Sequence, residues 1–165
     1  HVWSKPFGGV YSHLRKLVPG AKGTMYVAGW ESPGAAQENF IARLSAEGEE
    51  VTRWEFPLQE KQEPVALIPM SGGFYFVGQT YDPYENQENF FLMRMTEDFL
   101  IEYSLDLGGK HADILTAAVL ATGDELVLAG SMNSAALDIG ESAITNDGGG
   151  KDTPSALMLF RLSGL

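Results

Sequence analysis

Aromatic and acidic side chains recur in the longest polar stretches of the chain, where a binding site would need them. Flat aromatic rings beside carboxylates suit the recognition of sugars, of a peptide or of a cationic surface. Acidic loops that only face water have the same composition, which is the competing interpretation. The candidate binding residues are Trp30, Glu31, Tyr81, Asp82, Tyr84, Glu85, His13 and His111, with Asp138 and Glu141 in a further long stretch.

A second candidate site is the oxygen-rich run NDGGGKD at residues 146–152. Its glycines would let backbone carbonyls turn inward beside the carboxylates of Asp147 and Asp152, which are the ligands that Ca²⁺ prefers. The run lacks the spacing of an EF-hand loop, so an ordinary surface loop is the alternative. No other cofactor is indicated.

Catalytic patterns are missing from the sequence. The chain has no cysteine, which excludes thiolate metal sites, disulfides and cysteine nucleophiles. No serine lies in a GxSxG elbow, and neither a P-loop nor a dinucleotide-binding glycine pattern occurs. We therefore expect a protein without catalytic residues.

The composition limits the partners. With 22 acidic against 11 basic residues the formal charge is −11, which argues against binding to nucleic acid or to an anionic membrane surface. A hydrophobic content of 44% with 20% charged residues predicts one folded domain. No apolar run approaches the roughly 18 residues of a membrane span, so direct membrane insertion is not expected.

The strongest signal is an internal repeat. The stretches GTMYVAG, GGFYFVG and GDELVLAG end at Gly29, Gly78 and Gly130, a step of 49 and then 52 residues. A period near 50 is typical of repeat architectures. The repeated units cover about 1–50, 51–100 and 101–165.

Each unit reads as four antiparallel strands, named a to d. Proline beside 14–18 and 65–68 favours strand over helix there, although the third copy at 115–120 has a spacing that also fits a helix. The repeated stretch is strand b, and its nearly continuous apolar residues predict a strand covered on both faces. The remaining predicted strands are c at 39–44, 89–95 and 156–162, and d at 53–58, 102–107 and 1–7.

The repeated pattern of Trp, Gly-Gly, G-x-x-Y/F-V-A-G and N-F-x-x-R-L-S resembles the propeller-blade repeat of secreted bacterial proteins, and it is similar to kelch-type blades. The resemblance implies an all-β protein with four-stranded blades of a β-propeller, and it implies no particular activity. It also implies export, to an extracellular, periplasmic or cell-surface location. A first residue of His1 in place of Met suits a processed chain or a fragment.

A β-trefoil is the alternative fold, because it also contains three units of four strands in about this length. Strands of a trefoil line one barrel and should alternate between polar and apolar residues more cleanly than strand b does. The sequence therefore favours blades.

Three blades are too few for a ring, since propellers contain about four to eight. An exposed blade face of several hundred Å² would cost on the order of 10 kcal/mol at ~25 cal/mol per Å². We therefore expect a homodimer that forms a six-bladed ring, or completion of the ring by a different chain or by a segment missing from this sequence. The strand at 1–7 is the natural closing strand of the last blade.

The long connections d to a and b to c should share one end of the sheets, where binding is expected. The loops there include the insertion at 132–154. Arg43, Arg94 and Arg161 occupy the same place in each unit, which predicts a bond to a neighbouring blade.

The predicted function is a non-catalytic module for protein interaction or assembly. The alternative is a carbohydrate-binding or carbohydrate-active propeller.

Overall fold

The computed structural model describes residues 4, 6–7, 11–32, 38–56, 61–82, 87–121, 125–139, 142–146 and 156–162. These residues form an all-β protein of thirteen strands with one short 3-10 turn at Ala21–Gly23. The fold class predicted from the sequence is thereby confirmed at the level of antiparallel sheets.

Two four-stranded antiparallel sheets follow one another along the chain, each in the simple order first to fourth strand. Sheet 1 contains β1 (Ser12–Pro19), β2 (Met25–Glu31), β3 (Glu38–Leu44) and β4 (Glu50–Phe56). Sheet 2 contains β5 (Lys61–Met70), β6 (Gly73–Asp82), β7 (Gln87–Thr96) and β8 (Ile101–Leu107).

Sheet 3 has three strands in the order β13-β10-β9, namely β9 (Asp113–Leu120), β10 (Leu126–Met132) and β13 (Ala156–Leu162). The segment at 115–120 is therefore a strand, as its counterparts predicted. A separate hairpin joins β11 (Ala136–Ile139) to β12 (Ser142–Thr145).

The hairpin corrects the interpretation of residues 132–154 as one long loop. Leu137 of β11 is buried in the core between sheets 2 and 3, and Ile144 of β12 packs against the same core. The insertion is thus anchored by its own apolar residues.

The fourth strand of sheet 1 begins earlier than predicted. Residues 53–58 were expected, whereas β4 runs from Glu50 to Phe56, and 57–58 lie outside the described residues. The shift arises because Gly48, with a φ of 80°, closes a tight turn after β3. Most of the predicted strand 1–7 also lies outside the described residues, so its pairing with the last sheet stays a prediction.

The sheets are packed face to face. Tyr26, Ile41 and Phe56 of sheet 1 share a buried cluster with Phe74 and Phe76 of sheet 2. On its other face, sheet 2 contributes Tyr75, Val77, Phe90 and Leu92 to a cluster with Leu115, Leu128 and Met158 of sheet 3. Strand β6 is therefore covered on both faces, as its apolar sequence predicted.

The contacts between sheets include those of their first strands, because β5 touches both β1 and β9. Among the described residues no strand of one four-stranded sheet pairs with a strand of the next. A trefoil barrel requires such pairs, so the strand pairing gives the trefoil alternative no support.

The glycine that ends each repeated stretch faces a β-bulge in the first strand of its sheet. Gly29 pairs with Leu14 while Ala28 pairs with Lys16, so one residue of β1 has no partner. The same skip occurs opposite Gly78 and Gly130. A Cβ on Gly29 or Gly130 would collide with a backbone carbonyl oxygen of the first strand. The repeat therefore conserves glycine in each copy for close backbone approach.

Replacing Gly130 by alanine should lower the free energy of unfolding by about 3 kcal/mol, because the backbone must shift to admit the methyl group. Gly72 is the control, since its φ is 82° but nothing lies within 4 Å of an added Cβ. Gly72→Ala should lose only about 1 kcal/mol from the left-handed backbone. Urea unfolding at one fixed protein concentration measures both, and equal losses would contradict the close approach.

Candidate functional site

The connections from d to a and from b to c lie at one end of the sheets, as predicted. Their predicted length is wrong for most of them, because the strands extend into the predicted loops: only 57–60 separate β4 from β5 and only 83–86 separate β6 from β7. The connection from β10 to β13 is the long one among the three copies of the b-to-c connection. Ser12 at the start of β1 pairs with Glu31 at the end of β2, which pairs with Glu38 at the start of β3. At the opposite end, tight turns join the third and fourth strands. The turns are closed by hydrogen bonds from Ser45 N to Glu49 O (2.8 Å) and from Thr96 N to Leu100 O (2.9 Å).

Trp30 and His13 lie side by side at the long-loop end of sheet 1. Their rings are stacked, with centroids 4.2 Å apart and planes 20° from parallel. His13 was expected in a loop but lies in β1, because β1 already begins to pair with β2 at Ser12. Trp30 is half-buried against this histidine.

Glu31 is engaged in an ion pair. Its carboxylate accepts a hydrogen bond of 2.6 Å from Nη1 of Arg53, whose guanidinium lies 4.4 Å from the centre of the Phe40 ring. Burial alone would lower the pKa of Arg53, but hydrogen bonds and charge from Glu50 and Glu31 outweigh it and raise that pKa. The ion pair with Arg53 therefore holds the Glu31 side chain on the face of sheet 1.

The other predicted binding residues are spread over the molecule. Tyr81 is a half-buried residue of β6 on sheet 2, and Asp82 ends the same strand. Asp138 belongs to β11. The remaining candidates, which lie outside the described residues, are Tyr84, Glu85, Glu141, Asp147 and Asp152.

A cleft of about 650 Å³ opens where the β8–β9 connection meets the start of the hairpin. It contains His111, but neither Trp30 nor Tyr81 lines it. The expected aromatic platform for a glycan is therefore not found in this cleft, and the glycan alternative stays a prediction. The lining residues are Asn89, Asp106, Leu107, Gly108, Gly109, Lys110, His111, Ala135 and Ala136.

Asp113 holds the wall of this cleft, a role that the sequence analysis missed. The buried carboxylate accepts hydrogen bonds from Gly109 N (2.9 Å), Asn133 N (3.0 Å), Ser134 N (3.1 Å) and Ser134 Oγ (2.7 Å). Four donors satisfy the carboxylate, which therefore ties the β8–β9 connection to the segment that follows β10. The sequence feature that could have indicated this role is a charged residue at the first position of an otherwise largely apolar strand.

The described residues contain no group of three or more His, Asp or Glu side chains placed to hold a metal ion. The Ca²⁺ candidates at 147 and 152 fall outside them. Within the same residues, no helix has the length and apolar character needed to cross a membrane.

The outer face of sheet 3 exposes large apolar side chains. Leu157 and Leu159 of β13 are 90% and 72% exposed, and Val119 of β9, two strands away, is also exposed. Sheets 2 and 3 can be aligned on Gly78 and Gly130, which end the repeated stretch in each. In this alignment Leu157 and Leu159 correspond to Phe90 and Leu92 of sheet 2, which pack against sheet 3 and are 1% and 0% exposed. We call this surface the trailing face, since no described sheet follows it.

The outer face of sheet 1, which we call the leading face, is also incompletely covered. Val27, Phe40, Ala42 and Leu44 form a small buried cluster there, whereas Leu14 and Leu17 are exposed. The ring of Phe7 packs on Phe40 with centroids 5.8 Å apart. The leading face thus has an apolar centre with an exposed leucine margin.

The three repeated arginines behave differently. Arg43 of sheet 1 reaches sheet 2, where Nη1 donates to the carbonyl oxygen of Glu97 (3.2 Å) and Nη2 lies 3.5 Å from Oδ1 of Asp98. The predicted bond between neighbouring units is confirmed for Arg43. Arg94 and Arg161 form ion pairs within their own sheets, with Glu102 and Glu125.

Searches of protein-family models and of curated protein sequences give no match to this chain. The propeller resemblance therefore rests on the repeat in the sequence.

Replacing Asp113 by asparagine should lower the free energy of unfolding by about 2–3 kcal/mol, because an amide nitrogen would face backbone N–H donors in a buried site. Asp106→Asn is the matched control, since Asp106 lines the same cleft but is exposed. Its effect should stay within about 0.5 kcal/mol. Urea unfolding compares the two, and an unaffected Asp113→Asn variant would show that the carboxylate does not hold the loops.

Proposed function

We propose that the three sheets are blades of a β-propeller and that the chain is a non-catalytic assembly module. Its leading and trailing faces bind further β-sheets of the same kind from a protein partner. The observation that carries this proposal is the exposure of Leu157 and Leu159 at positions whose counterparts, Phe90 and Leu92, are buried between sheets.

The packing of sheet 2 supports the proposal, because that sheet has a neighbour on each face. Adjacent first strands, with β5 between β1 and β9, are typical of blades arranged around an axis. Exposed apolar surface of this kind marks a protein interface more often than a free surface. The expected location outside the cytoplasm rests on the repeat resemblance alone.

Cysteine labelling tests whether the trailing face is covered. The chain has no native cysteine, so Leu157→Cys introduces a single thiol. At micromolar protein concentration this thiol should react with a maleimide about tenfold more slowly than in denaturant, because a partner sheet excludes the reagent. Dilution should remove the protection.

The control variant is Leu100→Cys, since Leu100 is 68% exposed in a turn of the middle sheet. Its thiol should react quickly at every concentration. If the thiol at position 157 reacts as fast as this control, both in the purified protein and in an extract of the organism that makes it, the assembly function is wrong.

A further inference from the structure

We infer that the partner of the trailing face is the leading face of a second copy of this chain, so that two copies close a six-sheet ring with two identical seams. This inference rests on the proposed function and names its partner. In the ring, each copy presents its trailing face to the leading face of the other, around a two-fold axis.

The number of sheets favours two copies. The described residues supply three blade-like sheets and one separate hairpin, and closed rings contain about four to eight sheets. Two copies supply six sheets, whereas three copies would supply more than this range allows. A ring of identical copies therefore closes with two.

The two faces are the same kinds of surface that already meet inside the chain. Leu157 and Leu159 correspond to residues of sheet 2 that pack against the following sheet. On the leading face, Leu17 pairs with Val27 as Leu67 pairs with Phe76, and Leu67 is buried against the preceding sheet. Joining the faces would give the exposed leucines the surroundings of their buried counterparts.

The position of Phe7 on the leading face resembles that of a residue that ends the fourth strand of one sheet and packs on the next sheet. Phe56 at the end of β4 packs on Phe76 of the next sheet, with ring centroids 5.3 Å apart. Leu107 at the end of β8 is buried in the core shared with sheet 3. Phe7 lies on Phe40 of sheet 1 as the last residue of a preceding fourth strand would lie. Sheet 3 has three described strands, and the proposed ring places Phe7 of one copy beside sheet 3 of the other.

Charge also matches across the seam. Arg43 contacts Asp98 in the turn between β7 and β8. The turn between β3 and β4 has the same hydrogen bonds, with Gly48 N bound to Ser45 O (3.0 Å) as Phe99 N is bound to Thr96 O (3.0 Å).

When the two turns are aligned on these hydrogen bonds, Glu47 corresponds to Asp98 of sheet 2. Arg161 is the counterpart of Arg43 on sheet 3, and its side chain is mostly exposed. In the ring, the guanidinium of Arg161 faces the Glu47 carboxylate of the second copy. Opposite charges therefore meet at the rim of both seams.

Charge reversal tests this pairing, in a Glu125→Gln background that removes the partner of Arg161 within its own chain. Arg161→Glu and Glu47→Arg should each weaken self-association about tenfold or more, because each places like charges at both seams. The double variant restores opposite charges and should return to within about threefold of the Glu125→Gln chain. Sedimentation velocity over a dilution series measures the dissociation constants, and circular dichroism checks that each variant is folded.

Asp106→Arg is the control, since it reverses an exposed charge on the middle sheet, away from both end faces. It should associate like the unmodified chain. Self-association without rescue in the double variant would overturn the proposed seam. A purified chain that stays monomeric, with the thiol at position 157 protected only in the extract of its organism, would overturn the second-copy inference and leave the assembly function intact.

Discussion

Apolar residues on both faces of each sheet are the constraint on which the rest of the structure depends. Phe74 and Phe76 on one face of β6, and Tyr75 and Val77 on the other, all need a packed neighbour. Sheet 2 finds both neighbours within the chain. Among the described residues, sheets 1 and 3 each pack against one neighbouring sheet, so the proposed association would gain the free energy of burying their outer faces.

The seam between sheets 1 and 2 shows what such an interface contains. Phe99 adopts a left-handed φ of 65°, which is costly for a non-glycine residue, and its buried ring packs edge-on against both Tyr26 and Phe74. Burial, with a smaller contribution from the charge of Glu97, raises the pKa of the Tyr26 hydroxyl. An apolar centre with an arginine at its rim is therefore the pattern that a further seam would repeat.

The strands were predictable because the repeat supplies three independent views of each one. Prolines beside two copies of the first strand favoured a strand for the third copy as well. The nearly continuous apolar residues of strand b predicted that both of its faces would be buried. The β11–β12 hairpin was not predictable, because four-residue strands carry too little pattern and Leu137 is buried only through tertiary contact. The roles of Asp113 and of the Trp30–His13 stack likewise depend on strand register, which turn geometry and the β-bulges set together with the apolar pattern.

Native mass spectrometry of the unmodified chain tests the central claim most directly. If the outer faces of sheets 1 and 3 meet those of a second copy, the dominant species at micromolar concentration will have twice the 17.9 kDa mass of the chain. A folded species of 17.9 kDa that persists at high concentration, with no larger assembly, would contradict the claim.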